Sequence, residues 1–268
     1  MPPISPNEHY LKRKSRFGRS LTVYGRKAVL EALQCADVRC ERLHLARSNR
    51  PATILDDILT LATSQGAEVR HLSREELARI SRHAREDQGV AADLCLPRYR
   101  QLEDLLPWVP EPGATLLAID GITNPQNLGM LIRSATAAGC GGILVPRSGG
   151  CDICPLTIKA SAGTVFRAPL LRCDALAPAL TALQECGWRV CVLDTDAPRS
   201  LFEPFDTCGR IFVLGGETAG VSTAIRQLAD ESCSIPMANG VESLNVAVSA
   251  ALVAFRAHLA ADRAQRPR

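Results

Sequence analysis

The stretch VLGGETAGVS, residues 213–222, runs from a short apolar segment into a glycine-rich turn. Two further blocks are organised in the same way, NPQNLGMLIRSA at residues 124–135 and IPMANGVESLNVAVSAAL at residues 235–252. Each block passes from a strand-like stretch through a turn into a predicted helix, with polar residues where the strand ends. Ligands bind at that edge of an open α/β sheet, because loops and helix N-termini with unpaired N–H groups converge there. The three blocks therefore predict one composite ligand site.

Five short apolar runs follow one another after residue 114, namely TLLAID, GGILVP, RVCVLD, RIFVLG and SCSIP. The segments between them have helical spacing, as in Leu128, Ile132, Ala135 and Ala138. The runs are continuous rather than alternating, which is typical of strands buried on both faces of a parallel sheet. The pattern predicts an α/β fold with a parallel sheet in this half of the chain.

The composition is that of an ordinary globular protein. The chain has 268 residues, of which 46% are hydrophobic, and a formal net charge of +3, which suits two modest domains. No segment approaches the roughly 20 apolar residues of a membrane span, and the N-terminus lacks the apolar region of a secretory signal. We therefore expect a cytoplasmic protein without a membrane partner. The eleven cysteines follow no disulfide spacing and are expected to be reduced.

Basic residues are concentrated at the front of the chain. Within residues 1–20 they are Lys12, Arg13, Lys14, Arg16 and Arg19, opposed only by Glu8. This pattern is typical of a flexible arm that lies along a phosphate backbone. A solvated, disordered tail is the alternative, because composition alone does not identify a ligand.

Residues 21–98 have the pattern of a small α/β module. Helices are predicted over residues 25–33 and 52–64, and strands over residues 42–46, 69–72 and 89–96. Ser73 and Glu76 have the spacing of a capping box that opens a further short helix. Four basic side chains are candidates for contact with RNA, namely Arg26, Lys27, Arg82 and Arg85, although a solvated loop around residues 82–88 explains the last two equally well.

A proline-rich stretch separates this module from the rest. Pro97, Pro107, Pro110 and Pro112 fall close together, and we expect residues 99–113 to be a linker into a second domain of residues 114–268.

Several common ligand sites do not fit the second domain. After Asp120 the chain reads GITNPQNLG, which lacks the G-x-G-x-x-G spacing of dinucleotide-binding folds, and the chain has no P-loop. A Ser/His/Asp hydrolase is disfavoured because His258 is the single histidine of this domain. Cys151 and Cys154 offer only half of a metal site, so we expect no metal.

The three blocks together resemble the SpoU (TrmH-type) family of RNA 2′-O-ribose methyltransferases, within the SPOUT group. The family's first motif is matched by Asn127, Gly129, Arg133, Ser134 and Ala135. Its second is matched by Gly215, Glu217 and Gly220, and its third by Ile235, Pro236 and Met237 followed by Ser243, Leu244, Asn245 and Val246. The resemblance covers about 140 residues, with the motifs in order. Residues 21–98 also look like the RNA substrate-binding domain that many members carry, a looser match that rests on YGRKAVLEAL and QGVAAD.

The resemblance implies a small N-terminal α/β RNA-binding domain and a C-terminal parallel-sheet SPOUT domain with a trefoil knot. It implies that S-adenosyl-L-methionine binds in the knot, held largely by main-chain groups, for which Gly215, Gly216 and Gly240 are suited. The residues that it assigns to the cofactor are Leu193, Asp194, Thr195, Leu214, Gly215, Gly216, Glu217, Gly220, Ile235, Pro236, Met237, Ser243, Leu244 and Asn245.

The implied reaction is methyl transfer to a ribose 2′-hydroxyl. The resemblance makes Arg133 the leading catalytic candidate, and a fixed cation is physically easier than a general base because a guanidinium rarely gives up its proton. Asn127 would orient Arg133 or the ribose, Glu217 would pair with Arg133, and Ser243 and Asn245 would hydrogen-bond substrate or cofactor. Asn245 also suits a helix N-cap, and Glu217 a helix N-terminus.

Two positions near the motifs are open to more than one interpretation. Ser161 resembles a family position near the substrate, and a plain helix-end role is equally compatible with its sequence. Asn124 stands where many relatives have an acidic residue. This departure leaves the role of position 124 open and does not affect the motif residues that follow it.

The implied partners are structured RNA and a second copy of the chain. Ribosomal RNA is expected in preference to transfer RNA, and no metal or membrane is expected. Residues 244–263 form a predicted helix with an apolar face that, in the family, packs on a second subunit. A catalytically silent RNA-binding protein and a methyltransferase that acts on a base are the two alternatives.

Overall fold

The computed structural model describes residues 20–36, 38–95 and 100–265. The chain divides into two compact units, Met1–Arg98 and Tyr99–Arg268, and each is described by itself. Four of the predicted RNA-binding residues, Lys12, Arg13, Lys14 and Arg16, lie outside the described residues.

The N-terminal unit is built on a mixed four-stranded sheet in the order β1-β4-β2-β3. Strands β2 and β3 are parallel, and the other two pairs are antiparallel. The strands are β1 (Ser20–Tyr24), β2 (Arg39–Ala46), β3 (Glu68–Leu72) and β4 (Val90–Cys95), and the helices are α1 (Arg26–Leu33), α2 (Thr53–Ser64) and α3 (Arg74–Ser81). The small α/β module predicted from the sequence is confirmed.

The predicted capping box opens α3. The Ser73 hydroxyl accepts a hydrogen bond from the Glu76 N–H at 3.2 Å, and the Glu76 carboxylate accepts one from the Ser73 N–H at 2.8 Å. These reciprocal bonds satisfy two N–H groups that a helix start leaves without intrahelical partners. The bond from the Ser73 N–H, and after it the Ser73 side chain, lowers the pKa of Glu76, because hydrogen bonds to the carboxylate favour its charged form. Leu77 then packs on Tyr24, Ala46 and Ala91 of the sheet.

The second unit is built on a parallel seven-stranded sheet in the order β11-β9-β10-β6-β7-β8-β5. Its strands are β5 (Arg100–Gln101), β6 (Thr115–Asp120), β7 (Gly142–Pro146), β8 (Leu170–Cys173), β9 (Arg189–Leu193), β10 (Arg210–Gly215) and β11 (Glu231–Cys233). Every strand pair is parallel, and β7 and β8 are buried along their whole length. The α/β fold with a parallel sheet is thus confirmed.

Five helices accompany this sheet: α4 (Pro125–Ala137), α5 (Pro155–Ala160), α6 (Leu176–Glu185), α7 (Thr223–Leu228) and α8 (Val246–Gln265). The chain builds β6, β7 and β8 outward in one direction, then returns to add β9, β10 and β11 on the other side. The direction of the strand order therefore reverses between β6 and β10. The crevice at the carboxyl ends of such strands is where ligands bind in open α/β sheets.

Part of the predicted linker belongs to the second sheet. Arg100–Gln101 pairs with β8 as the edge strand β5, and Leu102, in the 3-10 helix Leu102–Leu105 that follows, is buried in the core. A two-residue strand carries no periodicity that a sequence pattern could reveal. Among the described residues, no helix is both long and apolar enough to cross a membrane.

Candidate functional site

A cavity of about 390 Å³ lies at the carboxyl ends of β9 and β10 and beside the start of α8. Its size falls within the range of about 300–1,000 Å³ that is usual for small-molecule sites. The residues that line it are Leu193, Asp194, Thr195, Leu214, Gly215, Gly216, Glu217, Gly220, Val221, Ile235, Met237, Ser243, Leu244, Asn245, Val246 and Ser249. All three sequence blocks contribute to the site, since Asn127 of the first contacts Glu217 and Asn245 in its wall.

Two glycines bring the backbone unusually close at one wall. A Cβ atom on Gly215 would lie 2.0 Å from the carbonyl carbon of Gly220, and one on Gly216 would lie 2.4 Å from the carbonyl oxygen of Gly121. Any side chain at either position would displace neighbouring backbone. Glycine at both positions is therefore required by the packing of the turn against its own neighbours. Gly215 and Gly216 also line the cavity, and having no side chain they present main-chain groups to it.

A cluster of three polar side chains, Asn127, Glu217 and Asn245, joins the three sequence blocks. The amide nitrogen of Asn127 donates to the Glu217 carboxylate. The Asn245 amide nitrogen donates to the Asn127 carbonyl oxygen at 3.1 Å and to the same carboxylate oxygen of Glu217 at 3.4 Å. Asn127 is buried, so this network also satisfies a polar group that would be costly to leave unpaired.

Asn245 has a second role in the helix that follows. Its side-chain oxygen accepts a hydrogen bond from the Ala247 N–H at 2.9 Å, and its carbonyl accepts from Ser249 at 3.0 Å. Asn245 thus caps α8 while its amide nitrogen donates to Asn127 and Glu217. The N-cap role is present, and the hydrogen bond to substrate or cofactor stays a prediction. Ser243 lies two residues earlier and lines the cavity.

Arg133 lies apart from the cluster. It is exposed on α4, does not line the cavity, and makes no ion pair among the described residues. Positions six apart on an α-helix point about 120° away from each other, so Asn127 faces the interior while Arg133 faces outward. Glu217 accordingly does not form the expected pair with Arg133 and accepts hydrogen bonds from the two asparagines instead.

Two further positions, Asn124 and Ser161, have structural roles, and a third, Pro236, lies outside the cavity lining. Asn124 is the N-cap of α4, with its side-chain oxygen accepting from the Gln126 N–H at 2.9 Å. Ser161 is fully buried and donates to the Ile158 carbonyl at 2.9 Å, which is the helix-end role. Pro236 is the one expected cofactor residue that does not line the cavity.

Sequence reasoning missed several residues of the site. Val221, Val246 and Ser249 line the cavity, and Asp120 and Arg226 contact the turn after β10. Val221 and Val246 directly follow motif residues, which is a signal that could have found them. Asp120 and Arg226 carry no such signal, because the contacts of Asp120 with Ser222 and of Arg226 with Asp194 span 102 and 32 positions.

In the N-terminal unit, the structure brings Arg26 to the loop at residues 82–88. The Arg26 backbone N–H donates to the Gln88 side chain and its guanidinium to the Gln88 carbonyl, both at 3.1 Å. Arg82 and Arg85 are exposed in this loop, and Lys27 is exposed next to Arg26. All four predicted basic residues that the structure describes therefore lie at one end of the unit.

The two cysteines considered for a metal site have other surroundings. Cys154 opens α5, with its sulfur 3.6 Å from the Thr157 hydroxyl. Burial raises the pKa of the Cys151 thiol above its usual value. Over the ranges that the structure describes, no cluster of histidine, cysteine and acidic side chains could hold a metal ion.

Residues 114–255 match the SpoU rRNA Methylase family, and residues 22–100 match the RNA 2′-O ribose methyltransferase substrate-binding family. The chain belongs to the SpoU rRNA methylase family. Together the two matched regions take in both compact units, and the family is one of RNA methyltransferases.

Relatives within the SpoU family align along most of the chain. An uncharacterized tRNA/rRNA methyltransferase of Mycobacterium tuberculosis (strain ATCC 25177 / H37Ra) is 34% identical over 92% of this chain and 76% of its own length. A protein with the same description from Mycobacterium leprae is 33% identical over 93% of this chain and 83% of its own length.

Solved structures of SpoU proteins are similar in fold. A crystal structure of an RNA 2′-O ribose methyltransferase superposes with a TM-score of 0.71 at 27% identity, covering 92% of this chain and 91% of the other. The SpoU methyltransferase AviRb from Streptomyces viridochromogenes, crystallised with AdoMet, has a TM-score of 0.77 at 24% identity, with 98% and 96% covered.

Proposed function

We propose that this protein transfers a methyl group from S-adenosyl-L-methionine to a ribose 2′-hydroxyl of structured RNA. The observation that carries the proposal is the convergence of the three motif blocks on one wall of one cavity, joined by the cluster of Asn127, Glu217 and Asn245.

The cavity fits S-adenosylmethionine in shape and chemistry. Leu193, Leu214 and Ile235 offer apolar contact to an adenine ring, while Gly215 and Gly216 allow the backbone to approach it. Polar groups for the ribose and the amino-acid end are present in Asp194, Thr195 and Ser243. The site residues proposed for the cofactor are therefore those expected from the motifs, without Pro236.

Bound S-adenosylmethionine supplies an electrophilic methyl group on its sulfonium. The methyl carbon would form a bond to the 2′-oxygen as its bond to sulfur breaks, which gives S-adenosylhomocysteine, and the hydroxyl proton would pass to solvent. The chain must align the weakly nucleophilic hydroxyl with that methyl group and stabilise the negative charge that develops on its oxygen. We assign the second task to Arg133 on the strength of the motif match. It is exposed on α4 outside the cavity, and as a fixed cation it would hold the phosphate next to the methylated ribose and the reacting oxygen once RNA is bound. Asn127 and Glu217 are assigned to holding the motif loops in register, and Ser243 and Asn245 to hydrogen bonds with the bound molecules.

Ribosomal RNA is the proposed substrate, with transfer RNA as the alternative. The names of the family and of the mycobacterial relatives support an RNA of one of these classes. In the N-terminal unit, Arg26, Lys27, Arg82 and Arg85 form a basic end suited to a phosphate backbone. The division into an RNA-binding domain (21–98) and a methyltransferase domain (114–268) is part of this proposal, as is a cytoplasmic location. Within the expected linker (99–113), Arg100–Gln101 and Leu102 already belong to the second unit.

A homodimer is the proposed assembly. The faces of α8 differ: Val246, Ala250 and Val253 are buried, whereas Val248 and Leu259 are exposed. The exposed side continues into a groove of about 640 Å³ that also contains Phe202, Pro204 and Phe205. An apolar face of this kind suits a self-complementary interface between two copies.

The trefoil knot implied by the family is also proposed for this chain. In support of it, Leu201 donates to the Ser234 carbonyl at 2.7 Å and Ser234 donates to the Arg199 carbonyl at 2.8 Å. The segment that precedes β10 is thus tied to the segment that follows β11, with the cavity beside them.

The test is to compare RNA from a strain that lacks the gene with RNA from its parent. Sites of 2′-O-methylation resist alkaline cleavage, so a site on ribosomal RNA that becomes cleavable on deletion, and resistant again when the purified protein and S-adenosylmethionine are added, is the expected result. A lost methyl group on a base, or the same loss confined to transfer RNA, would overturn the corresponding part of the proposal.

A further inference from the structure

Two carboxylates stand on either side of the glycine turn at the end of β10. Strand β10 lies between β9 and β6 in the sheet. Gly215 pairs directly with Asp120, the last residue of β6. On the other side, Val213 pairs with Val192, so Asp194, which follows the last residue of β9, comes beside the same turn. Each neighbour of β10 therefore ends in an aspartate.

Both aspartates reach the segment that follows the turn. The Asp120 carboxylate accepts a hydrogen bond from the Ser222 N–H at 2.7 Å. The Asp194 carboxylate forms an ion pair with Arg226 of α7, and the Arg226 guanidinium also donates to the Val221 carbonyl at 3.0 Å. The turn itself is closed by a hydrogen bond from the Gly220 N–H to the Gly216 carbonyl at 2.9 Å. The turn that carries Glu217 is thus held from both flanking strands.

We propose that Arg226 is a positioning residue of the cofactor cavity, which fixes the Asp194 carboxylate at the cavity wall and, through Val221, the turn that carries Glu217. Asp194 lines the cavity, whereas Arg226 stands behind it. This inference rests on the proposed function, because it takes the cavity to be the S-adenosylmethionine site.

Positioning and charge make opposite predictions for the loss of Arg226. If Arg226 served only to neutralise Asp194, its removal would free a negative charge beside a cationic sulfonium, and S-adenosylmethionine would bind more tightly. If Arg226 positions the wall, its removal weakens binding whatever the charge of the ligand. The product S-adenosylhomocysteine has a neutral thioether in place of the sulfonium, so the two ligands separate the two effects.

The experiment measures the Kd of both ligands by calorimetry for the wild-type protein and for Arg226→Met and Arg226→Lys. Arg226→Met should raise both Kd values by a similar factor of about ten, the loss expected for a charge-assisted hydrogen-bonded contact. Arg226→Lys can still pair with Asp194 and should recover part of the loss. The matched control is Arg189→Met, because Arg189 is an arginine of similar exposure that makes an ion pair with Asp206 at the opposite end of β9.

A double variant tests whether Arg226 acts through Asp194. In an Asp194→Asn background, Arg226→Met should add less than about threefold, since coupled neighbours are not additive. Full additivity, tighter binding of S-adenosylmethionine alone, or unchanged Kd values in Arg226→Met would each overturn the inference. A wild-type protein that binds neither ligand would instead overturn the proposed function, so the two failures are distinguishable.

Discussion

Asn127 is the residue on which the polar cluster depends. Its amide donates to Glu217 and accepts from Asn245, so one buried side chain connects all three motif blocks. A carboxamide is suited to this position, because it offers a donor and an acceptor on a single planar group. A carboxylate of the same shape would keep the acceptor and lose the donor.

Asn127→Asp should therefore destabilise the second unit in a pH-dependent way. The new carboxylate would face Glu217 without a proton between them, at a cost of about 2 kcal/mol in the free energy of unfolding near pH 8. Near pH 5 the loss should be smaller, because one carboxyl of the pair can take up a proton and donate it. Urea unfolding at both pH values measures how the loss of stability depends on pH. Gln126→Glu adds the same charge at an exposed neighbouring position and should show no such pH-dependent loss.

Arg133→Ala should abolish methyl transfer while leaving the Kd for S-adenosylmethionine within a few fold of the wild-type value. The reason is position: Arg133 does not line the donor cavity and is exposed on α4, so its removal takes away a contact to RNA and leaves the lining of the cavity intact. Single-turnover transfer of a labelled methyl group, together with calorimetry, checks both parts. Arg189→Ala provides the control, and near-normal turnover by Arg133→Ala would exclude the assigned role.

At the residue scale, the motifs predicted the lining of the cavity well. Main-chain and apolar contacts come from runs such as Leu214 to Gly216, whose order is visible in the sequence. Ion pairs that join distant segments are not visible in this way, and Arg226 illustrates this. Its partner Asp194 is 32 positions away, and no local pattern connects them.

At the scale of elements, the contact between α4 and α5 depends on one glycine. A Cβ on Gly129 would lie 2.4 Å from the Thr157 carbonyl oxygen and 2.7 Å from the Ala160 side chain. Both are far inside ordinary contact distance, so a side chain at this position would push the helices apart. The first motif therefore contains a glycine for packing rather than for backbone freedom.

Gly129→Ala should lower the free energy of unfolding by about 1–3 kcal/mol, the usual cost of overpacking. Chemical denaturation measures this value. Gly141→Ala is the matched control, because a Cβ there would meet its nearest neighbours at 3.5 and 3.6 Å, which is ordinary contact. Equal stability of the two variants would contradict the packing role.

A buried arginine at the start of β10 predicts an effect at low pH. Arg210 donates to Asp206 at 2.6 Å, and this bond, followed by one from the Cys208 N–H, lowers the pKa of Asp206 to about 2. Because the folded pKa lies below the usual value of about 3.9, the charged form stabilises the fold at higher pH, and this contribution is lost as the pH falls through about 2.

Asp206→Asn should therefore flatten the dependence of stability on pH between about 4 and 2, relative to the wild-type protein. Thermal melts across this range provide the measurement. Asp174→Asn, which alters a much more exposed ion pair with Arg147, should keep the wild-type slope. A wild-type slope in Asp206→Asn as well would show that Arg210 does not couple to pH through Asp206.

Most strands of both sheets followed from the sequence, including the three-residue β11 in the run SCSIP, whereas β1, β5 and β8 were not predicted. The run TLLAID predicted β6, because a continuous apolar stretch between a threonine and an aspartate is the pattern of a buried parallel strand. β8 has four residues and β5 has two, and neither lies in one of the five apolar runs. For α8 the sequence pattern predicted the helix but not which of its faces is buried. In the structure Asn245 caps the helix and Val248 is exposed.

At the scale of the whole molecule, the exposed face of α8 predicts the state of association. Leu259→Glu should convert the proposed homodimer into a monomer, because a charge buried without a partner in an apolar interface is costly. Sedimentation at micromolar concentration measures this change. Val109→Glu, which alters an exposed apolar residue away from α8, should leave the dimer intact, and a wild-type monomer would refute the proposed assembly.

The polar contacts of the site join residues that are 90, 102 and 118 positions apart. Contacts at such separations form late in folding, because long stretches of chain must first be closed into loops. A chain halted before residue 245 would possess its N-terminal unit and most of its sheet, but no complete donor cavity. Synthesis of nearly the whole polypeptide thus precedes chemical competence, and binding of the methyl donor can serve as a reporter that folding is finished.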